Sequence, residues 1–167
     1  MSVKHSLIVP CYNEEETVEL FYDASTSVLK NMDIDYEIIF VNDGSKDTSL
    51  EKIKEICNRN AHFYYINFAQ NAGLSAAIKA GIDHCESKYV GYMDADLQTT
   101  PMDFNLLLEE APNHELVTGI RVGRKDTWFK RYQSKIANNF RRMMTGDTAQ
   151  DTGCPLKVMH ADVAKRL

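Results

Sequence analysis

Strands and helices alternate along these 167 residues, which predicts an α/β fold built on a single, mostly parallel sheet with helices on both faces. Three observations carry this. Short runs rich in β-branched and aromatic residues recur through the first 121 positions. Between them lie longer segments whose apolar residues repeat at helical spacing. Nearly every apolar run also exits into a polar cluster, where an α/β sheet places its ligands.

Taken in order, "SLIVP" (6–10) is the first strand, and Asn13 stands before "EEETVELFYDASTSVLK" as a helix cap, with three glutamates suited to the first-turn dipole. "YEIIFV" (36–41) is the second strand, closed by the turn cluster "NDGSKD". The helix that follows sets Leu50, Ile53, Ile56 and Cys57 on one face. "HFYYINF" (62–68) reads as a third strand and "LSAAIKAGIDHC" (74–85) as a small-residue helix. "YVGYM" (89–93) is a fourth strand, Pro101 opens the next helix at a favoured position, and "ELVTGIR" (115–121) is a fifth strand. No repeat, low-complexity tract or linker interrupts the series, so one domain over 1–167 is expected.

Composition narrows the class. The sequence is 44% hydrophobic and 26% charged, ordinary for a globular domain. Its four cysteines are scattered, with no CxxC pair, which favours a reducing, cytoplasmic setting over a disulfide framework. The opening "MSVKHSLIVPCYNEEE" does not read as a leader, and no run of about 20 apolar residues offers a membrane span. The net charge of −5 conceals segregation: residues 1–120 carry 8 Lys/Arg against 20 Asp/Glu, whereas residues 121–142 carry 8 basic residues and only Asp126. A basic segment on an acidic domain suggests that one stretch meets an anion. A solvated basic helix is the plain alternative, and no nucleic-acid partner is expected.

The strand exits hold the chemistry. No GxGxxG follows the first strand, so the usual dinucleotide fingerprint is missing. Asp43, at the second exit, is a carboxylate suited to a base or ribose, or equally an Asx-type turn residue before Gly44. After the fourth strand, "DADLQ" sets Asp94 and Asp96 on one side by the two-residue period, with Gln98 continuing the row. Carboxylates packed that closely repel one another unless a proton or cation intervenes. Oxygen ligands without His or Cys suit a hard divalent ion, Mg²⁺ or Mn²⁺. A loop whose acids merely cap the helix at Pro101 is the alternative.

Together, "IVPCYNEEETV", "VNDGSKDTS", "NAGLSAAIKAGI" and "YMDADLQTTP", in that order and each at a strand exit, resemble the family 2 glycosyltransferases of the GT-A fold. The resemblance runs from residue 6 onward and implies a Rossmann-like GT-A sheet. "DADLQ" followed by proline, a basic stretch and "DTGCPLKVM" look most like the polyprenyl-phosphate branch, which includes dolichol-phosphate mannose synthases and undecaprenyl-phosphate glucosyltransferases. The resemblance implies that Pro10, Tyr12, Asn13 and Glu14 line the pocket of a UDP- or GDP-linked sugar donor, with Ala95 beside them and Asp43 on the nucleoside. It further implies that Asp94, Asp96 and Gln98 hold the metal on the donor diphosphate. Leu74 and Ser75 depart from the residues common after this glycine in the family. Members of that branch often continue into further helices, so the catalytic domain is expected to be cut short at its C-terminal end.

Arg121 and Arg124 are candidates for stabilising the leaving diphosphate or holding the acceptor, since a guanidinium donates two parallel hydrogen bonds to phosphate. They also fit a merely solvated basic run. A hydroxyl acceptor needs a positioned base. The Glu-Asp pair common in hydroxyl-directed relatives is missing after residue 97, where Gln150-Asp151 is the nearest equivalent and Asp151 the candidate base. A lipid phosphate is already anionic, so a polyprenyl phosphate acceptor and single-step inversion are expected. An acceptor hydroxyl with Asp151 as base, or donor binding without turnover, are the rivals. Residues 127–146, with Trp128, Tyr132, Ile136, Phe140 and Met143 at helical spacing among basic residues, are expected to lie on an anionic membrane surface, at its cytoplasmic face. An ordinary core helix would show the same stripe.

Overall fold

The computed structural model describes residues 4–30, 35–96, 101–120, 154 and 156–166. Its elements run β1 (Lys4–Cys11), α1 (Val18–Leu29), β2 (Asp35–Asn42), α2 (Ser49–Arg59), β3 (Phe63–Asn67), α3 (Leu74–His84), β4 (Tyr89–Tyr92) and α4 (Pro101–Glu110). A 3-10 turn (Ala111–Asn113), β5 (Leu116–Thr118), β6 (Lys157–His160) and the short α5 (Ala161–Ala164) follow. The strands form one six-stranded sheet in the order β3-β2-β1-β4-β6-β5.

Residues 7–9 of β1 and 38–41 of β2 are unbroken hydrophobic runs because the sheet is covered on both faces there. Leu7, Val9 and Cys11 of β1 join Phe21, Ile53, Ile56 and Phe104 in one cluster, placing α1, α2 and α4 on that side. Ile8 of β1 and Ile39 and Val41 of β2 meet Ala77 and Ile82 of α3, with Ala161 and Ala164 of α5, on the other. Each large side chain so buried contributes roughly 1.5–3 kcal/mol relative to exposure. The amino ends of the strands are fastened by polar contacts: Glu37 accepts the Ser6 hydroxyl at 2.5 Å and pairs with Lys4 at 2.6 Å.

β1 pairs in parallel with β2 and β4, and β2 with β3. The far side departs from expectation. β6, which the sequence did not signal, inserts between β4 and β5 and runs antiparallel to both. The fifth strand is accordingly an edge of three residues, shorter than 115–121.

The first helix also starts later than its capping signal. Asn13 is no helix cap: it sits at φ 55°, and α1 begins at Val18 after a turn in which the Thr17 and Val18 amides donate to the Glu14 carbonyl. Tertiary partners claim the Asn13 side chain instead.

Candidate active site

The exits of β1 and β2 are laced together. The Asn13 amide donates to Ser45 Oγ at 3.0 Å, and Asn13 Oδ1 accepts the Lys46 amide at 2.9 Å. The Glu14 amide donates to Ser49 Oγ at 2.8 Å, and Glu15 Oε2 accepts the Thr48 hydroxyl at 2.6 Å and its amide at 3.1 Å. Asp47 accepts the Ser49 hydroxyl and amide through Oδ1 and the Glu15 amide through Oδ2. The Thr48 hydrogen bonds hold the Glu15 carboxyl below its ordinary range. Partial burial pushes Asp47 upward, but the hydrogen bonds from Ser49 and Glu15 outweigh it and leave Asp47 lowered. The three glutamates, expected in a first helical turn, thus lie ahead of α1, where two of them brace one loop to its neighbour.

Asp43 is buried at 4% exposure and holds the loop before α3. Its Oδ1 accepts the Ala72 amide at 2.7 Å, while its Oδ2 accepts the Gly73 amide and Asn71 Nδ2, each at 2.9 Å. Gly44 beside it adopts φ +67°, and a Cβ there would stand 2.4 Å from the Gln70 carbonyl carbon. Only glycine allows the two backbones this approach.

Past β4 the alternation of faces continues. Met93 and Ala95 are buried in the cluster beneath α1 and α4, while Asp94 is half-buried and Asp96 exposed. Both carboxylates open into a cleft of about 310 Å³ at the carboxyl ends of the strands. Pro10, Tyr12 and Glu14 enter it from the β1 exit and Asp43 from β2; Asn71, Gly73 and Leu74 wall it at the start of α3. Ala95 joins Asp94 and Asp96 in its lining.

Seven expected site residues therefore meet in one cleft. Asn13 does not line it and faces a neighbouring depression with Lys46 and Asp47. Gln98, Arg121, Arg124, Asp151 and the 127–146 stretch lie outside the described residues. Reading the sequence missed Asn71 and the Glu15–Asp47–Ser49 brace, although "NAGLSAAIKAGI" and "NDGSKD" had marked both loops as strand exits. Burial, reinforced by the Glu14 charge, raises the Cys11 thiol far above its usual range, so it is no nucleophile despite lining the cleft.

The donor set fits a hard divalent cation: two carboxylates from alternate positions of one strand exit, on the wall of a polar cleft. Such an ion takes one or two protein carboxylates and completes its shell with substrate phosphate and water. Among the described residues no group of three or more His, Cys, Asp or Glu is placed to hold a metal ion. Among them, too, no helix is long and apolar enough to cross a membrane.

The chain is similar in sequence and in fold to known proteins. Over 164 residues, 97% of the chain and 50% of the relative, the sequence is 32% identical to the undecaprenyl-phosphate 4-deoxy-4-formamido-L-arabinose transferase of Edwardsiella ictaluri. The chain thus spans about half the length of that relative. The fold superposes with a TM-score of 0.71 on a mannosyltransferase from Pyrobaculum calidifontis in complex with GDP-Man and Mn²⁺, at 16% identity, covering 99% of this chain and 47% of that one. It superposes at 0.75 on glucosyl-3-phosphoglycerate synthase from Mycobacterium tuberculosis in complex with Mn²⁺, UDP and phosphoglyceric acid, again at 16% identity, covering 96% of this chain and 57% of that one. Both are GT-A folds, and the sheet described above is of that type. The family model for glycosyl transferase family 2 matches residues 6–167, and the chain belongs to that family.

Proposed function

We propose that this domain carries the donor site of an inverting, metal-dependent transferase that moves a sugar from a UDP- or GDP-linked donor to a polyprenyl phosphate. One observation carries the reading: a single cleft is lined by Asp43 from the β2 exit and by the Asp94–Asp96 pair beyond β4, on either side of β1, an arrangement suited to a nucleotide with a diphosphate tail. The relative named for an undecaprenyl-phosphate transferase supports the acceptor class, and the Mn²⁺ complexes of the structural relatives support the ion.

In this reading Tyr12 and Asp43 flank the nucleoside, and the wall at Asn71–Gly73 excludes water from it. Asp94, Asp96 and Gln98 would hold Mg²⁺ or Mn²⁺, which when bound offsets the charge developing on the departing diphosphate. Arg121 and Arg124, on the segment after β5, add guanidinium donors for the diphosphate or the incoming phosphate. The acceptor phosphate arrives already anionic, so no base need take a proton, and attack opposite the diphosphate inverts the anomeric carbon. Residues 127–146 bring the domain to an anionic membrane surface on its cytoplasmic side.

Calorimetric titration with UDP- and GDP-sugars, with and without Mn²⁺, tests the donor half of this reading, and metal-dependent binding is expected. Radiolabelled transfer to polyprenyl phosphate over soluble sugars tests the acceptor half. Transfer to a hydroxyl acceptor would instead assign Asp151 as base, and binding without any transfer would leave a donor-binding domain alone.

A further inference from the structure

The strand absent from expectation sets a lysine opposite the last residue of β4, two positions ahead of Asp94. In the antiparallel pairing of β4 with β6, Tyr92 stands opposite Lys157. Met159 packs with the α3-side cluster and Val158 with the other, so Lys157 shares the face of Tyr92, the face on which Asp94 and Asp96 open. Paired strands lie about 5 Å apart and two residues advance about 6.6 Å, so the Lys157 backbone is roughly 8 Å from that of Asp94. That separation is within the compass of an extended lysine side chain.

Its ammonium is held in place. Lys157 Nζ donates to the Tyr92 hydroxyl at 3.1 Å and to the Cys154 carbonyl, and lies 5.0 Å from the centre of the Tyr92 ring. An ammonium has three donors, so one remains beyond these two. Half-burying a cation costs desolvation, and an apolar residue would fill the same space without that cost.

The order of strands says what the charge faces. Along the carboxyl edge, the β2 and β1 exits hold the nucleoside end of the cleft, β4 the carboxylates, and β6 lies beyond them, away from the nucleotide. Inversion requires the acceptor to enter on the side opposite the leaving diphosphate. We infer that Lys157 contacts the anionic head of the acceptor, a phosphate monoester, and fixes it beside the carboxylate pair. This rests on the transferase reading proposed above.

Replacing Lys157 with Met keeps length and removes charge. In Lys157→Met the KM for a short-chain polyprenyl phosphate should rise about tenfold or more, while donor–Mn²⁺ affinity by calorimetry stays within about twofold. Lys157→Arg should recover most of the loss. Tyr92→Phe keeps the ring beneath the ammonium and removes only one of its two hydrogen-bond partners, so it should raise the acceptor KM by clearly less than Lys157→Met does. An unchanged acceptor KM in Lys157→Met would overturn the assignment. So would a parallel loss of donor affinity, or an equal defect in Tyr92→Phe, since either marks Lys157 as a strut. If Lys157→Met does not fold, the comparison of parent, Lys157→Arg and Tyr92→Phe decides. If the parent transfers no sugar, acceptor binding to the donor-loaded protein is measured directly. Equal binding by parent and Lys157→Met then sinks only this inference, whereas no acceptor binding by the parent sinks the acceptor reading and this inference with it.

Discussion

The carboxylate of Asp43 accepts the backbone amide of Ala72 at 2.7 Å, so a residue proposed to meet the nucleotide also builds the wall of the cleft that would receive it. Three donors from positions 71–73 converge on this one side chain. A carboxylate offers about four acceptor positions, which leaves room for one further partner from a ligand.

Asp43→Ala should therefore do two things at once. Leaving the amides of Ala72 and Gly73 without their acceptor should lower stability by about 1–3 kcal/mol in a denaturant titration. Nucleotide affinity should fall about 10- to 100-fold even without metal, through loss of a charged hydrogen bond and of the ordered wall. Lower stability with unchanged UDP and GDP affinity would confine Asp43 to the loop.

Asp96 separates function from folding more cleanly. Its side chain is exposed, and substitutions at such positions usually change stability by no more than about 0.5 kcal/mol. Asp96→Ala should keep the thermal midpoint and abolish Mn²⁺-dependent donor binding, since an ion on the diphosphate contributes several kcal/mol. Metal-dependent binding that survives in this variant would remove Asp96 from the site.

What the sequence disclosed follows from the range of the forces involved. Ile53 and Ile56 were legible as a buried face because helical periodicity is local, and both are fully buried. The Asp94–Asp96 alternation was legible for the same reason. Asp43 was not resolved, because its partners lie about 30 positions downstream and no spacing rule links them. Asn13 has a local capping preference that Ser45 and Lys46 override from across the fold. β6 has four residues and pairs with a strand 65 positions earlier at Tyr92–Lys157, too short and too distant a signal to read.

The basic stretch can be tested on membranes alone. Each basic residue near an anionic surface adds about 1 kcal/mol. Reversing Lys130, Arg131 and Lys135 to Glu should markedly weaken sedimentation with anionic liposomes at low salt. A folded triple variant that sediments as well as its parent would show that another surface meets the membrane.

Two glycines by the cleft predict unequal costs. Gly44 and Gly73 both take positive φ, at +67° and +93°. A Cβ on Gly44 would collide with the backbone of Gln70 and Asn71, whereas a Cβ on Gly73 has nothing within 4 Å. Gly73→Ala should cost only the strain of a backbone conformation open essentially to glycine (φ 93°, ψ 160°), about 1–3 kcal/mol. Gly44→Ala should cost more and weaken nucleotide binding, because the 70–73 loop must move away from Asp43. Equal unfolding midpoints for the two variants would mean that the loop yields freely.

The brace between the β1 and β2 exits predicts a dependence on acid. Glu15 and Asp47 both titrate below their ordinary values of 4.5 and 3.8 because their charged forms accept hydrogen bonds in the folded protein. Groups depressed on folding stabilise the native state fully above their unfolded pKa, and that contribution disappears as the pH falls through the folded value. The denaturation midpoint of the parent should therefore hold steady down to about pH 5 and decline toward about pH 3. Asp47→Asn cannot be protonated in this range, so it should begin less stable at neutral pH and lose less on acidification. Ser49 bridges the loops by donating to Asp47 and accepting the Glu14 amide, so Ser49→Ala should weaken the brace at neutral pH. If parent and Asp47→Asn declined with the same slope between about pH 5 and 3, the acid sensitivity would have to come from other carboxylates. A shallower slope in Asp47→Asn, together with weaker nucleotide binding in Ser49→Ala, would tie the ionised brace to the shape of the cleft.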